Sequence, residues 1–192
     1  MNLPPRWHYE LARLLLLLRQ DKLAIAQFEA TLRRDPRFVS AHESLAFFHA
    51  SEGRSAAAIE AFRRALALAP DHASTWFNLG FVHHGRNEHE QAIQAFEKAV
   101  GLSPSLDRAW YGMGLAQRSL GLLPEAAASL ERSGKLQPMN PHAWYELGMT
   151  YYAMKRYEKV QEVIEYLDGF DPKMTRQLMQ DTPGRAVQEP AA

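Results

Sequence analysis

The sequence predicts an all-α protein, an open solenoid of five stacked helix pairs followed by a short C-terminal capping helix. Three observations carry that expectation. Pro36, Pro70, Pro104, Pro138 and Pro172 recur at a fixed interval of 34 residues. Trp76, Trp110 and Trp144 keep the same interval, with His42 and His8 standing at the equivalent places earlier in the chain. Four residues after each of these positions comes a small side chain, Ala12, Ala46, Gly80, Gly114 or Gly148. Punctuation at one such period marks repeated supersecondary units, each too small to bury its apolar face alone.

The units run over about 5–38, 39–72, 73–106, 107–140 and 141–174, as one domain over 1–180. In the first, helices are predicted at 7–18 and 22–34. Leu14 through Leu18 are five consecutive leucines there, interrupted on the N-terminal side by Arg13 and closed by Arg19. That run is too short for a membrane span and no small-residue cleavage site follows it, so neither a signal peptide nor a span is expected. The second unit gives helices at 41–51 and 55–68 with Gly53 in the turn. The third gives 73–84 and 89–101 with Asn87 at the turn. The fourth gives 107–119 and 123–136 around Gly121, and the fifth gives 141–153 and 157–168.

Within every unit the first helix carries Leu11, Leu45, Leu79, Met113 or Leu147 just before the small residue, so both lie on one face. The second helix repeats a small residue and then a bulky one a turn later. These are Ala24 and Phe28, Ala58 and Phe62, Ala92 and Phe96, Ala126 and Leu130, and Val160 and Ile164. Each proline ends a second helix, because it lacks an N–H and crowds the residue before it. Beyond the fifth unit, Met174, Leu178 and Met179 form a short apolar period suited to covering the open end of the stack, and 181–192 reads as a flexible tail.

The combination of W-x-x-[LM]-G, A-x-x-x-F and proline at this period resembles the tetratricopeptide repeat family. It is clearest in TWFNLGFVHHGRNEHEQAIQAFEKAVGLSP. The resemblance spans about residues 5–172. It implies a right-handed superhelix whose first helices line a concave groove that holds peptides, extended segments or partner helices. Some members grip a C-terminal carboxylate with Lys, Asn and Arg side chains from three consecutive units. No window of three units here supplies that set.

In the family, residues one and five places after the Trp position look into the groove. The first row implied here is Tyr9, Glu43, Phe77, Tyr111 and Tyr145; the second is Arg13, Phe47, Phe81, Leu115 and Met149. Tyr152 extends the stripe, and Arg108 and Arg118 flank it as cations that could meet acidic residues on a ligand. The expectation is a mixed apolar and weakly basic groove for an amphipathic helix or apolar segment, with inter-repeat core as the competing reading of the same rings. Leu14, Leu16, Leu17 and Leu18 make the first helix apolar on too many sides for a solitary surface helix, so they form a candidate assembly surface for a second copy or a larger partner.

Composition narrows the function classes. Lys plus Arg equal Asp plus Glu at 22 each, so no field of one sign draws in nucleic acid or an anionic membrane. The absence of Cys removes disulfides, thiolate nucleophiles and Cys-based zinc sites, and suits a cytoplasmic location. His83 and His84 are adjacent and diverge on a helix, no H-E-x-x-H occurs, and no metal or cofactor is expected. No nucleophile, base and orienting group are expected in one recess. The function implied is a non-enzymatic protein-binding module or assembly adaptor. The alternatives are a self-assembling scaffold or an accessory subunit of an enzyme, envelope or secretion complex.

Overall fold

The computed structural model describes residues 4–183, and over that span the chain is an all-α solenoid of paired helices. The pairs are α1 (Pro5–Leu17) with α2 (Asp21–Arg34), α3 (Val39–Ser51) with α4 (Ser55–Leu68), α5 (Ala73–Gly85) with α6 (His89–Leu102), α7 (Asp107–Ser119) with α8 (Leu123–Leu136), and α9 (Pro141–Ala153) with α10 (Tyr157–Asp168). A final helix, α11 (Pro172–Asp181), follows alone. Observed and expected bounds differ by two residues at most. The chain divides into two compact units, Met1–Arg86 and Asn87–Ala192. Among the described residues no helix is long and apolar enough to cross a membrane.

The small-then-bulky ladder of the second helices is the core of both units. Ala24, Ala58, Ala92, Ala126 and Val160 have no exposed surface, and Phe28, Phe62, Phe96, Leu130 and Ile164 are buried beside them. Cutting one of the Phe side chains back to Ala would cost about 3–5 kcal/mol. A surface ion pair such as Arg64 with Glu60 is worth about 0–1 kcal/mol. Packing therefore holds the pairs together, and the surface charges contribute little.

The Trp ladder has a polar purpose as well. The indole N–H of Trp76, Trp110 and Trp144 donates to the carbonyl of Pro70, Pro104 and Pro138, at 2.7, 3.0 and 3.0 Å. His42 reproduces the bond, with Nε2–H donating to Pro36 at 2.9 Å, which is why an imidazole serves at a Trp position. In each case a ring N–H satisfies the carbonyl left over at the break between units. His8 works differently: Arg34 donates to its Nε2 at 2.7 Å and its Nδ1–H donates to Gln27 at 2.7 Å.

The turn inside each pair is also periodic. Arg19, Gly53, Asn87, Gly121 and Lys155, spaced by the repeat, all have positive φ between 57° and 75°. The residue after four of them sends its N–H back five residues: Gln20 to Leu15, Arg54 to His49, Leu122 to Gln117 and Arg156 to Tyr151. This left-handed closure of a helix ordinarily uses Gly or Asn. Arg19 and Lys155 adopt it without that help.

Close helix approach explains the glycines. A Cβ on Gly114 would stand 2.7 Å from Leu130 Cγ, and one on Gly148 would stand 2.7 Å from Leu178 Cδ2. The second contact shows what α11 is. Leu178 falls one repeat after Trp144 and Thr182 one repeat after Gly148, and both are fully buried. The capping helix therefore continues the repeat as the first helix of a sixth, half unit, packed on α9 and α10. Asp181 and Pro183 are held by tyrosines, as described below; residues 184–192 of the expected tail lie outside the described residues.

Candidate functional site

The two units treat the predicted groove stripe differently. In the first unit, Phe47 on α3 and Phe81 on α5 are 66% and 64% exposed. Phe77 is half-buried with its ring 6.4 Å from that of Phe81. Tyr9 belongs largely to the core: its ring lies 5.6 Å from Phe28 and 5.0 Å from Phe38. Beside Phe47 opens a recess of about 480 Å³, lined from α1, α3 and α5 by side chains including Tyr9, Ser40, Glu43, Ser44, Asn78 and the edge of Phe48.

Among the residues lining that recess is a polar cluster that the sequence reading did not find. Glu43 on α3 accepts a hydrogen bond from Thr75 on α5 and pairs with the Nδ1 of His72, while Ser74 donates to the His72 Nε2 at 3.3 Å. The order hydroxyl, imidazole, carboxylate is that of a nucleophilic relay. Here the ring is more than half exposed, and the same carboxylate oxygen is shared with Thr75. The cluster fastens α3 to the start of α5. Its one anticipatory signal is Glu43, which occupies a groove-facing place in the first row. His72 precedes the helix and no periodic pattern marks it.

The recess is acidic, and the cations of the expected weakly basic groove, Arg108 and Arg118, belong to the second unit. Asp21, Glu43 and Glu52 line it together with seven hydroxyl or amide side chains, and no Lys or Arg does.

In the second unit the stripe is largely occupied by the chain itself. Tyr111, Tyr145, Met149 and Tyr152 pack against the cluster built on Leu130, Leu147, Ile164 and Leu178. Leu115 is half-buried. The Tyr145 hydroxyl donates to Asp181 at 2.6 Å, and the Tyr152 hydroxyl donates to the Pro183 carbonyl at 3.0 Å. The hydrogen bond to Asp181 pushes the Tyr145 pKa up to about 12, with burial and the charges of Asp181 and Glu146 adding to it against Arg118. Burial, then the Glu146 charge, raises that of Tyr111. Arg118 is paired with Glu146, so it is not a free cation for a ligand; Arg108 is exposed.

The leucine surface also resolves residue by residue. Leu14, Leu17 and Leu18 are exposed, whereas Leu16 lines the recess and packs toward the first-unit core. Leu11 is exposed beside them, and so is Trp7, which was not anticipated. Among the described residues no group of three or more His, Asp or Glu side chains could hold a metal ion.

Comparison with known proteins agrees with this architecture. No curated protein sequence matches the chain. Tetratricopeptide repeat models match residues 38–105, and 85–134 and 111–159. The chain is similar in structure to YrrB, a TPR protein with an unusual peptide-binding site, at 20% identity and a TM-score of 0.80, with 90% of each chain covered. It is similar to PilW, a type IV pilus biogenesis factor, at 26% identity over 88% of this chain and 78% of that one, with a TM-score of 0.70. It is similar to MamA from Desulfovibrio magneticus RS-1 at 17% identity over 94% and 97%, with a TM-score of 0.77. The repeat models, the ladder of buried small and bulky residues and the recurring ring-to-proline hydrogen bond agree, and the chain belongs to the tetratricopeptide repeat family.

Proposed function

We propose that this chain is a non-enzymatic protein-binding module whose first unit takes a polypeptide segment carrying an apolar side chain next to a basic one. The observation that carries the reading is the largely exposed Phe47 on a recess rich in carboxylates and hydroxyls and lined by no Lys or Arg, with Phe81 equally exposed on α5 of the same unit. Flat rings offer contact area at low entropic cost, and desolvated aromatic anchors dominate binding energy in protein interfaces. Asp21, together with Glu43 and Glu52, whose carboxylates are shared with His72 and Arg54, would favour a Lys or Arg on the ligand, and the hydroxyls and Asn78 can bond to its backbone. Tyr145 and Tyr152 in the second unit are already bonded to Asp181 and Pro183, which argues for the first unit as the binding end.

The test is a fluorescence-anisotropy screen of short peptides that vary apolar and charged positions, against the intact chain. Peptides with an apolar residue beside Lys or Arg should bind, and their Glu counterparts should not. Phe47→Ala with Phe81→Ala should weaken binding by more than tenfold while the far-ultraviolet circular dichroism stays unchanged. Equal binding of the two peptide classes, or affinity untouched by the double substitution, overturns the reading.

A further inference from the structure

The most exposed apolar surface in the first unit lies on α1, away from the recess. Trp7, Leu11, Leu14 and Leu18 are between 40% and 65% exposed, and Leu17 beside them is 81% exposed. Their spacing of four, three and four residues draws one straight seam along the helix. Among the described residues no element covers it.

The repeat itself shows what kind of object fits there. One, two, three and four periods after Trp7 stand Ala41, Thr75, Ala109 and Ala143, all buried. After Leu11 stand Leu45, Leu79, Met113 and Leu147, also buried. Each of these positions faces the helix pair before it, as α3 packs on α2, α7 on α6 and α9 on α8. The Trp7 and Leu11 part of the seam is therefore a face that elsewhere in this chain is covered by helices of the same repeat, whereas the counterparts of Leu18, which are Glu52, Arg86, Leu120 and Met154, are exposed or half-buried. Leu17 goes further, because its counterparts Ser51, Gly85, Ser119 and Ala153 are exposed and small or polar. An apolar side chain at a place the repeat leaves in water points to a contact beyond ordinary stacking.

Two features select the occupant. Among the described residues α11 is a first helix with no second helix after it, so the surface on which α3, α7 and α9 pack has no counterpart there, which argues against one copy continuing the solenoid of another head to tail. The seam is instead complementary to itself. The set 7, 11, 14, 18 reads the same from either end, so an antiparallel second α1 places Leu11 against Leu14 and Trp7 against Leu18. A two-fold of that kind brings Glu10 and Arg13, partners within α1 at 3.1 Å, to the same flank as Arg13 and Glu10 of the second copy. We infer that two copies of this chain pair through α1, antiparallel and about a two-fold axis, along the Trp7, Leu11, Leu14 and Leu18 seam. The apolar area available is roughly 600 Å² per copy, below the ~800 Å² per partner of a standard interface, which fits a weak, reversible dimer.

Sedimentation velocity of the intact chain over a concentration series tests this directly. The mass should rise from 21.8 kDa to a plateau at two chains. Leu14→Glu with Leu17→Glu, both at exposed positions, should raise the dissociation constant more than tenfold and leave the circular dichroism unchanged. A single-chain mass at every concentration, growth past two chains without a plateau, or a dimer indifferent to the double substitution each overturns the inference. Orientation has its own test, since the sequence has no cysteine of its own. Trp7→Cys and Leu18→Cys chains should form disulfide-linked pairs when mixed and not when alone; cross-linking of either variant with itself contradicts the antiparallel seam.

Discussion

At the scale of single residues, the repeat exposes where this chain departs from the easiest chemistry. Arg19 and Lys155 sit at φ of 57° where two sister positions have Gly and one has Asn. An L side chain in that region costs about 1–2 kcal/mol, and glycine does not incur it. Lys155→Gly should therefore stabilise the second unit by about 1 kcal/mol, less the added freedom of glycine in the unfolded chain. Thermal unfolding followed by circular dichroism should show a higher midpoint. A midpoint lowered by several degrees would mean that the Lys side chain makes a contact outweighing its strain. The sequence revealed the turn at Gly53, Asn87 and Gly121 because those residues announce it. It hid Arg19 and Lys155, whose side chains give no local sign of a left-handed backbone. The Trp place shows the same asymmetry: His42 could be aligned with the tryptophans, but the shared hydrogen bond to a proline carbonyl emerges only from the backbone.

At the scale of elements, α11 is the part with most consequence beyond packing. A terminal helix was expected from Met174, Leu178 and Met179. That it keeps the register of a sixth unit was not legible, since the Trp place holds Leu178 and the small-residue place holds Thr182. Its docking is tied to ionisation. Tyr145 is held protonated up to about 12 in the folded chain against 10.0 for an unperturbed phenol, so its contribution is present below pH 10 and is lost as pH rises through 12. Asp181 is shifted the other way, lowered by the hydrogen bonds from Tyr145 and then Gln177. Its contribution is present above the unperturbed value of 3.8 and fades as pH falls through the lowered one. Amide hydrogen exchange should accordingly show α11 best protected between those limits. Asp181→Ala should bring the phenolate titration of Tyr145, read by ultraviolet absorbance, back toward 10.0. A titration unmoved by that substitution would contradict the Tyr145 to Asp181 bond. A second handle on the same element is Gly148, where a Cβ would meet Leu178 at 2.7 Å: Gly148→Ala should loosen α11 and destabilise the fold by about 1–3 kcal/mol in thermal unfolding. No loss of stability would mean that α11 yields freely to the added methyl.

At the scale of the whole molecule, the fold was legible and the site only half so, for one physical reason. Helix pairing depends on small and bulky residues recurring at fixed intervals, and five copies of the pattern make it unmistakable in Ala24, Ala58, Ala92, Ala126 and Val160. Whether a groove-facing ring is open depends on what else lies over it, and periodicity carries no record of that. Phe47 and Phe81 face solvent, while Tyr145 and Tyr152, placed on the same stripe by what the family resemblance implies, are bonded to the chain's own last turns. Charge followed the same rule: Arg118 is matched by Glu146, and the recess that remains open is acidic because Asp21 from α2 and Glu43 and Glu52 from α3 and its C-terminal cap converge there. That recess is the proposed binding site for a polypeptide. Its most direct measurement is the affinity of one peptide, bearing an apolar residue beside Arg, for the intact chain and for Glu43→Gln with Phe47→Ala. The expected result is measurable binding that falls more than tenfold in the substituted chain at unchanged helical content. Binding of equal strength in both would contradict it.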